Sequence, residues 1–319
     1  MLSGVEHAVG NKVTFGVTLP VQGVEFERLK EFAQQCEKLG FDSVWCYDHF
    51  FPYDGTKPTQ PFYECFTTLT ALSMVTSRIR LGSLVACNNF RNPALVAKIT
   101  SQIDVLSKGR FELGIGAGWN GKEFDAYGYE FNELNLRLER LEEAIQIINK
   151  MWMETSPSFE GKYYRIKNAV NEPKPVQKPH PPIWFGGSRK TILRLAAKYA
   201  DGWNLGFYES NSPKGFAEKC AFLSKACKKY GRNPSDLRRS WTGLLILGRN
   251  EKELSEKVKR YGYLSMGYPS MFVTVDTCAT EMRKFTQSGV TDFFIQICDP
   301  NDLNTLQILS EKIVPLFSS

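Results

Sequence analysis

Apolar residues follow two alternating rhythms along this 319-residue chain. Val13 to Leu19 forms a short β-type run, and after it Leu29, Phe32, Ala33, Cys36 and Leu39 recur at three or four, marking one face of a helix. Gly40 closes that helix, as a C-terminal glycine does, and Ser43 to Tyr47 opens the next apolar run. The spacing then predicts a helix over Phe62–Thr76, a strand over Ile79–Ala86, a helix face at Leu95, Ile99, Ile103 and Leu106, and a strand over Phe111–Ile115. The longest stripe runs through Leu134, Leu138, Leu141, Ile145, Ile148 and Trp152 and predicts a long amphipathic helix.

Between Thr155 and Pro182 six prolines interrupt the rhythm, which reads as an irregular excursion rather than a linker. The beat then resumes with strands over Ile183–Phe185, Gly202–Leu205, Trp241–Leu247 and Asp292–Ile297. The helices between and after them are expected over Thr191–Tyr199, Phe216–Tyr230, Glu251–Tyr261, Thr280–Gln287 and Leu303–Leu316. A second excursion spans Gly262–Asp276. Strands that are apolar without alternation, each followed by a helix, imply a parallel sheet covered on both faces. Eight such units in one α/β chain of this length fit a (β/α)8 TIM barrel with insertions after strands 4 and 7 better than a doubly wound sheet. Residues 1–319 are therefore read as a single domain.

Composition narrows the function classes. The net charge of +6, from 40 basic and 34 acidic residues, is scattered rather than gathered into a stripe, so nucleic acid is not an expected partner. No apolar run approaches the ~20 residues of a membrane-spanning helix, and Met1 to Lys12 does not read as a signal peptide. The eight cysteines include no C-x-x-C pair and read as reduced thiols in a cytoplasm. The three histidines lack metal-ligand spacing, so no metal is expected.

In such a barrel the reacting groups sit where strands end. The polar and glycine positions there are Gln22, Asp48 and His49, Cys87 and Asn88, Gly116 to Asn120, Gly186 to Ser188, and Asn204. Asp48-His49 stands out because an imidazole can exchange a proton near neutral pH. Gly114 to Trp119 fails the dinucleotide fingerprint, whose sixth position needs Gly or Ala; what remains is a strand end that a flat ring or phosphate can approach. Gly186-Gly187-Ser188-Arg189-Lys190 leads into a helix, whose N–H groups and positive end favour an anion.

With these residues the chain resembles the bacterial luciferase-like monooxygenase superfamily, most closely its F420-dependent oxidoreductases. The resemblance rests on an ordered set: YDHFFPY, IRLGSLVACNNFRNPALVAK, IDVLSKGRFELGIGAGWN, RLERLEEAIQI, PKPVQKPHPPIWFGG and AAKYADGWN. It implies a TIM barrel whose third strand carries a bulge with a non-proline cis peptide, falling by position at Leu84-Val85, and a cofactor ring resting against it. It further implies that Asp48 hydrogen-bonds the ring and that His49 handles the proton. Cys87 and Asn88 would lie beside the ring, Ala117, Gly118 and Lys122 near the ribityl chain and phosphate, and Gly186, Gly187 and Ser188 around the phosphate.

Gln22, Tyr53, Trp119 and Asn204 are the candidates for contact with a small-molecule substrate. Coenzyme F420 is the implied cofactor, with FMN and a monooxygenase activity, or a non-catalytic flavin-binding barrel, as alternatives. A homodimer and a reductase supplying reduced cofactor are the implied partners. One departure stands out: where the sugar-phosphate dehydrogenases of the family carry a Glu, this chain has Trp119. A second acid/base is missing from that position, which argues against their activity.

Overall fold

Eight apolar runs with no polar face must be covered on both sides, and the chain does so by closing the sheet on itself. The computed structural model describes residues 12–52, 59–205, 212–262, 270–299 and 301–317. The barrel strands are β1 (Thr14–Thr18), β2 (Ser43–Cys46), β3 (Arg80–Ser83), β4 (Phe111–Gly116), β5 (Ile183–Gly186), β6 (Gly202–Leu205), β7 (Arg238–Gly248) and β8 (Asp292–Ile297). Each pairs in parallel with the next, and β8 returns to β1. The surrounding helices are α1 (Phe26–Lys38), α2 (Cys65–Val75), α3 (Pro93–Leu106), α4 (Gly121–Tyr127), α5 (Leu134–Met153), α6 (Lys190–Tyr199), α7 (Pro213–Lys229), α8 (Glu251–Tyr261), α9 (Val275–Gln287) and α10 (Leu303–Ile308).

The interior is filled by pairing large residues with none at all. Trp45 and Trp184 meet edge to face across the barrel with centroids 5.6 Å apart, and Phe294 packs on both at 4.1 and 5.2 Å. Gly82 is the direct neighbour of Trp45 across the β2–β3 ladder, and Gly202 that of Trp184 across β5–β6. A Cβ at either glycine would lie 2.2 Å from the indole it faces. The barrel is thus a packed core, and ligands are left to its ends.

The N-terminal end of the barrel is closed by charge. Glu112, fully buried, accepts from Trp184 Nε1 at 2.5 Å and pairs with Arg80 and, at 3.6 Å, with Arg238. Arg238 also pairs with Asp292, which takes a hydrogen bond from Thr14. Burial alone would raise the Glu112 carboxyl, but Arg238 and Arg80 more than offset it and hold it below its ordinary value of 4.5. A carboxyl depressed in the fold contributes stability above pH 4.5 that is lost as pH falls through its folded value. Glu112→Gln is therefore expected to cost about 1–3 kcal/mol near neutral pH, less than a fully buried pair would, because both guanidiniums are about a third exposed. Urea midpoints measured across pH check this: wild type should lose stability more steeply than the variant as acid is added.

The expected elements differ from the observed ones at identifiable places. The helix expected from Phe62 starts at Cys65, because the Glu64 carboxylate caps it by accepting from Phe66 N and Thr67 N at 3.2 and 2.6 Å. The helix expected from Thr280 starts five residues earlier, at Val275, where Thr274 and Thr277 form a reciprocal cap. Part of the second excursion, Ser270–Thr274, is a strand parallel to the outer half of β7; residues 263–269 lie outside the described set. The first excursion carries a small antiparallel pair, Phe159–Glu160 with Arg165–Ile166. Its turn is held by Glu143, which accepts from the N–H groups of Lys162, Tyr163 and Tyr164. The last expected helix leaves α geometry at Leu309 and tightens into a 3-10 turn over Val314–Phe317. No described helix is long and apolar enough to cross a membrane.

Candidate active site

At the C-terminal end of the barrel a cavity of ≈390 Å3 opens between the ends of β2 to β6 and the starts of α4, α5 and α6. Its floor is set by an interruption in the third strand. After Ser83 the chain leaves the ladder, the Leu84–Val85 peptide is cis, and pairing resumes with Ala86 and Cys87 against Ile115 and Gly116. The expected position of this feature was the observed one.

The displaced Val85 has to go somewhere, and three glycines receive it. A Cβ at Gly114, Gly116 or Gly186 would lie 2.9, 2.9 or 2.7 Å from a Val85 methyl. The glycine run of β4 thus seats the bulge, and Gly116 and Gly118 also line the cavity, where the strand end was expected to be open to a ligand. Gly118 has a different neighbour, since a Cβ there would lie 2.5 Å from Cys87 Sγ.

Asp48 is buried and fully engaged in bracing that bulge. Its Oδ2 accepts from Cys87 N and from Arg91 Nη1, both at 2.8 Å, while its Oδ1 accepts from Arg91 Nη2 at 2.8 Å. Arg91 also bonds the Glu64 carboxylate and lies over the Phe66 ring. Burial alone would lower the guanidinium, but Asp48 and Glu64 more than reverse it and hold its pKa above the ordinary value. A bidentate arginine fixes both chain and carboxylate.

His49 points to a partner that sequence reasoning did not find. Its Nδ1 lies 2.6 Å from Oε2 of Glu123, whose side chain is 1% exposed. Asn120 Nδ2 also donates to that oxygen, at 3.0 Å, and Phe50 N donates to Oε1 at 2.8 Å. A carboxylate oxygen accepts, so the imidazole hydrogen at this contact is on Nδ1. Trp119 stands edge-on to the imidazole at 5.6 Å and Phe62 at 6.3 Å.

At the far side, α6 begins without a side-chain cap. The first N–H groups of a helix have no acceptor within it and suit an anion. Gly187, at φ 128°, turns the chain into this helix, a conformation that favours glycine. Asn204 donates to Ser240 and Thr242 at 2.7 and 2.5 Å, which fixes its amide at the cavity wall.

The structure thus gathers His49, Asp48, Leu84, Val85, Cys87, Ala117, Gly118, Trp119, Gly186, Gly187, Ser188 and Asn204 around one cavity. Three expected residues do not line it. Asn88 is buried but bonds Tyr164 Oη at 3.3 Å and Asn89, on the side of the inserted pair of strands. Lys122 neighbours Glu123 on α4, and a helix turns consecutive side chains about 100° apart, so with Glu123 inward Lys122 faces elsewhere. Gln22 forms an isolated bridge with Phe62. Tyr53 lies outside the described residues. Glu123 and Arg91 were missed, and Asn120 was named only as a strand-end position without its partner; the only signal for the pair was an Asn and a Glu three apart just after the glycine turn.

The cavity is thus floored at Val85 and bounded by the start of α6; comparisons with known proteins show the family and the fold. The family model for luciferase-like monooxygenases matches residues 12–291. An F420-dependent glucose-6-phosphate dehydrogenase of Microbacterium testaceum is 33% identical over 211 residues, 66% of this chain and 61% of that protein. An F420-dependent hydroxymycolic acid dehydrogenase of Mycobacterium tuberculosis is 32% identical over 223 residues, 70% of this chain and 59% of that protein. The chain therefore spans less than two thirds of the length of these relatives. The coenzyme F420-dependent tetrahydromethanopterin reductase of Methanopyrus kandleri superposes with a TM-score of 0.81 at 18% identity, over 96% of this chain and 99% of that one, which shows the shared fold.

Proposed function

The chain belongs to the luciferase-like monooxygenase family, and from that premise we propose that it is an F420-dependent oxidoreductase moving a hydride between deazaflavin and a small organic substrate. The observation that carries this reading is the His49–Glu123 pair at the wall of a cavity floored by the Val85 bulge. When bound, the deazaflavin supplies the carbon that gives or takes the hydride. Every other task falls to the chain. Val85, seated on its glycines, supports the ring, and Asp48 with Arg91 holds the bulge in place. The start of α6, with Arg189 beside it, holds the phosphate. Glu123 orients His49, whose Nε2 takes or returns the proton at the substrate oxygen as the hydride passes.

The residues fit the cofactor on three grounds: an apolar floor for a flat ring, an uncapped helix start for its phosphate, and no bulky side chain along Gly186-Gly187. A homodimer, a separate reductase that recycles the cofactor, a cytoplasmic setting and a single domain over 1–319 belong to the same proposal, carried by the resemblance. Titration of purified protein with F420, FMN and reduced FMN, followed by fluorescence, checks it. F420 is expected to bind with micromolar or tighter affinity. Tight FMN binding without F420 affinity would instead make the chain a monooxygenase supplied with reduced FMN.

A further inference from the structure

Among the described residues, the acidic, basic and histidine side chains that line the cavity are Asp48, His49, Glu123 and Arg189. Their distribution is lopsided. Arg189 stands at the start of α6, the phosphate end, whereas both carboxylates are at the His49 end. Arg91 behind them is shared between Asp48 and Glu64, so its one positive charge is already met by two carboxylates, and Glu123 is paired with His49 rather than with it. A phosphate or carboxylate carried by a substrate to His49 would lose its water and meet net negative charge, which is costly.

What the cavity has beside His49 instead is an aromatic side chain. Trp119 is 50% exposed, an unusual state for so large an apolar side chain, and it lines the cavity with its ring edge-on to the imidazole. It sits on the residue after Gly118, whose φ of 75° turns the chain at the end of β4. A rigid indole beside the proton-handling atom is a platform for a ring or a bulky apolar group.

We infer that the substrate is an uncharged alcohol or ketone bearing an apolar or aromatic group that packs on Trp119, and that phosphorylated substrates are rejected. This rests on the hydride-transfer reading above for the position of the reacting carbon, but the recognition itself can be read without turnover. α-Methylbenzyl alcohol and glucose 6-phosphate serve as the two probes, titrated against F420-loaded protein and also assayed for loss of the oxidised cofactor's absorbance. The alcohol is expected to bind the more tightly. Trp119→Ala should weaken its binding and raise its KM about tenfold, with kcat little changed, and Trp119→Phe should restore most of the loss. Tighter binding of glucose 6-phosphate overturns the inference, as does binding of neither probe or a Trp119→Ala variant with unaltered affinity. Trp119-dependent binding of the alcohol with no cofactor reduction would leave this inference standing and overturn the hydride-transfer reading instead.

Discussion

His49→Ala is expected to lower turnover by about 10²- to 10⁴-fold, the usual contribution of a positioned acid or base, while F420 affinity stays near wild type. The split follows from geometry, since His49 lies at the β2 end and the proposed phosphate cradle at the start of α6. Glu123 should behave as a positioning residue. Three donors converge on its carboxylate, from His49 Nδ1, Asn120 Nδ2 and Phe50 N. Glutamine has one acceptor oxygen and one donor group there, so at least one of those donors would face an N–H. Glu123→Gln is therefore expected to lower kcat about 10–100-fold, as when a carboxylate that orients a histidine is lost, with KM and F420 affinity nearly unchanged. Steady-state rates together with cofactor titration separate these outcomes. If His49→Ala turns over as wild type does, the proton is handled elsewhere; if Glu123→Gln loses cofactor affinity along with rate, Glu123 is holding the bulge rather than the imidazole.

Much of this site was legible because barrels place chemistry by rule. The eight strands announced themselves as apolar runs between helical stripes, Gly40 marked the end of α1, and the stripe from Leu134 to Trp152 fell on α5. Once the strands were counted, Asp48, His49 and Gly186 to Ser188 followed as strand-end residues. The Leu84–Val85 bulge came from resemblance, since nothing in the periodicity of Ile79–Ala86 distinguishes a bulged strand from a straight one.

Other features were hidden for a physical reason: they depend on which segments meet. Glu123 is 74 residues from His49, and Arg91 is 43 from Asp48. In sequence Glu123 is one more acidic residue in a polar helix start, and Asp48 reads as a group facing the cavity until Arg91 is seen to occupy both its oxygens. Trp119 shows the converse. Its identity indicated a missing acid at that position, and α4 then brings a carboxylate to His49 from four residues further on.

The glycines of β4 carry the second large expectation, and they divide into two kinds. At Gly114 a Cβ would lie 2.0 Å from Ser83 O, a backbone atom, and the neighbouring chain is stitched there: Ser83 Oγ accepts from Gly114 N at 3.0 Å and donates to Gly114 O at 2.8 Å. At Gly116 the close neighbour is a Val85 methyl at 2.9 Å, with Gly186 O the next atom at 3.6 Å. Gly114→Ala must push the third strand away, so it is expected to cost about 1–3 kcal/mol or more and to weaken F420 binding, because the floor of the cavity shifts with Ser83. Removing the Val85 side chain cannot relieve it. Gly116→Ala clashes only with that side chain, so Val85→Ala should recover most of its cost, giving a coupling well above the ~0.3–0.5 kcal/mol seen between independent sites. Urea unfolding of the three single variants, Gly114→Ala, Gly116→Ala and Val85→Ala, and of the two doubles that carry Val85→Ala closes both cycles. A stable Gly114→Ala, or a Gly116→Ala that Val85→Ala fails to relieve, would mean that the glycines are not there to seat Val85, and the run would return to the simpler reading of a backbone kept bare for the cofactor.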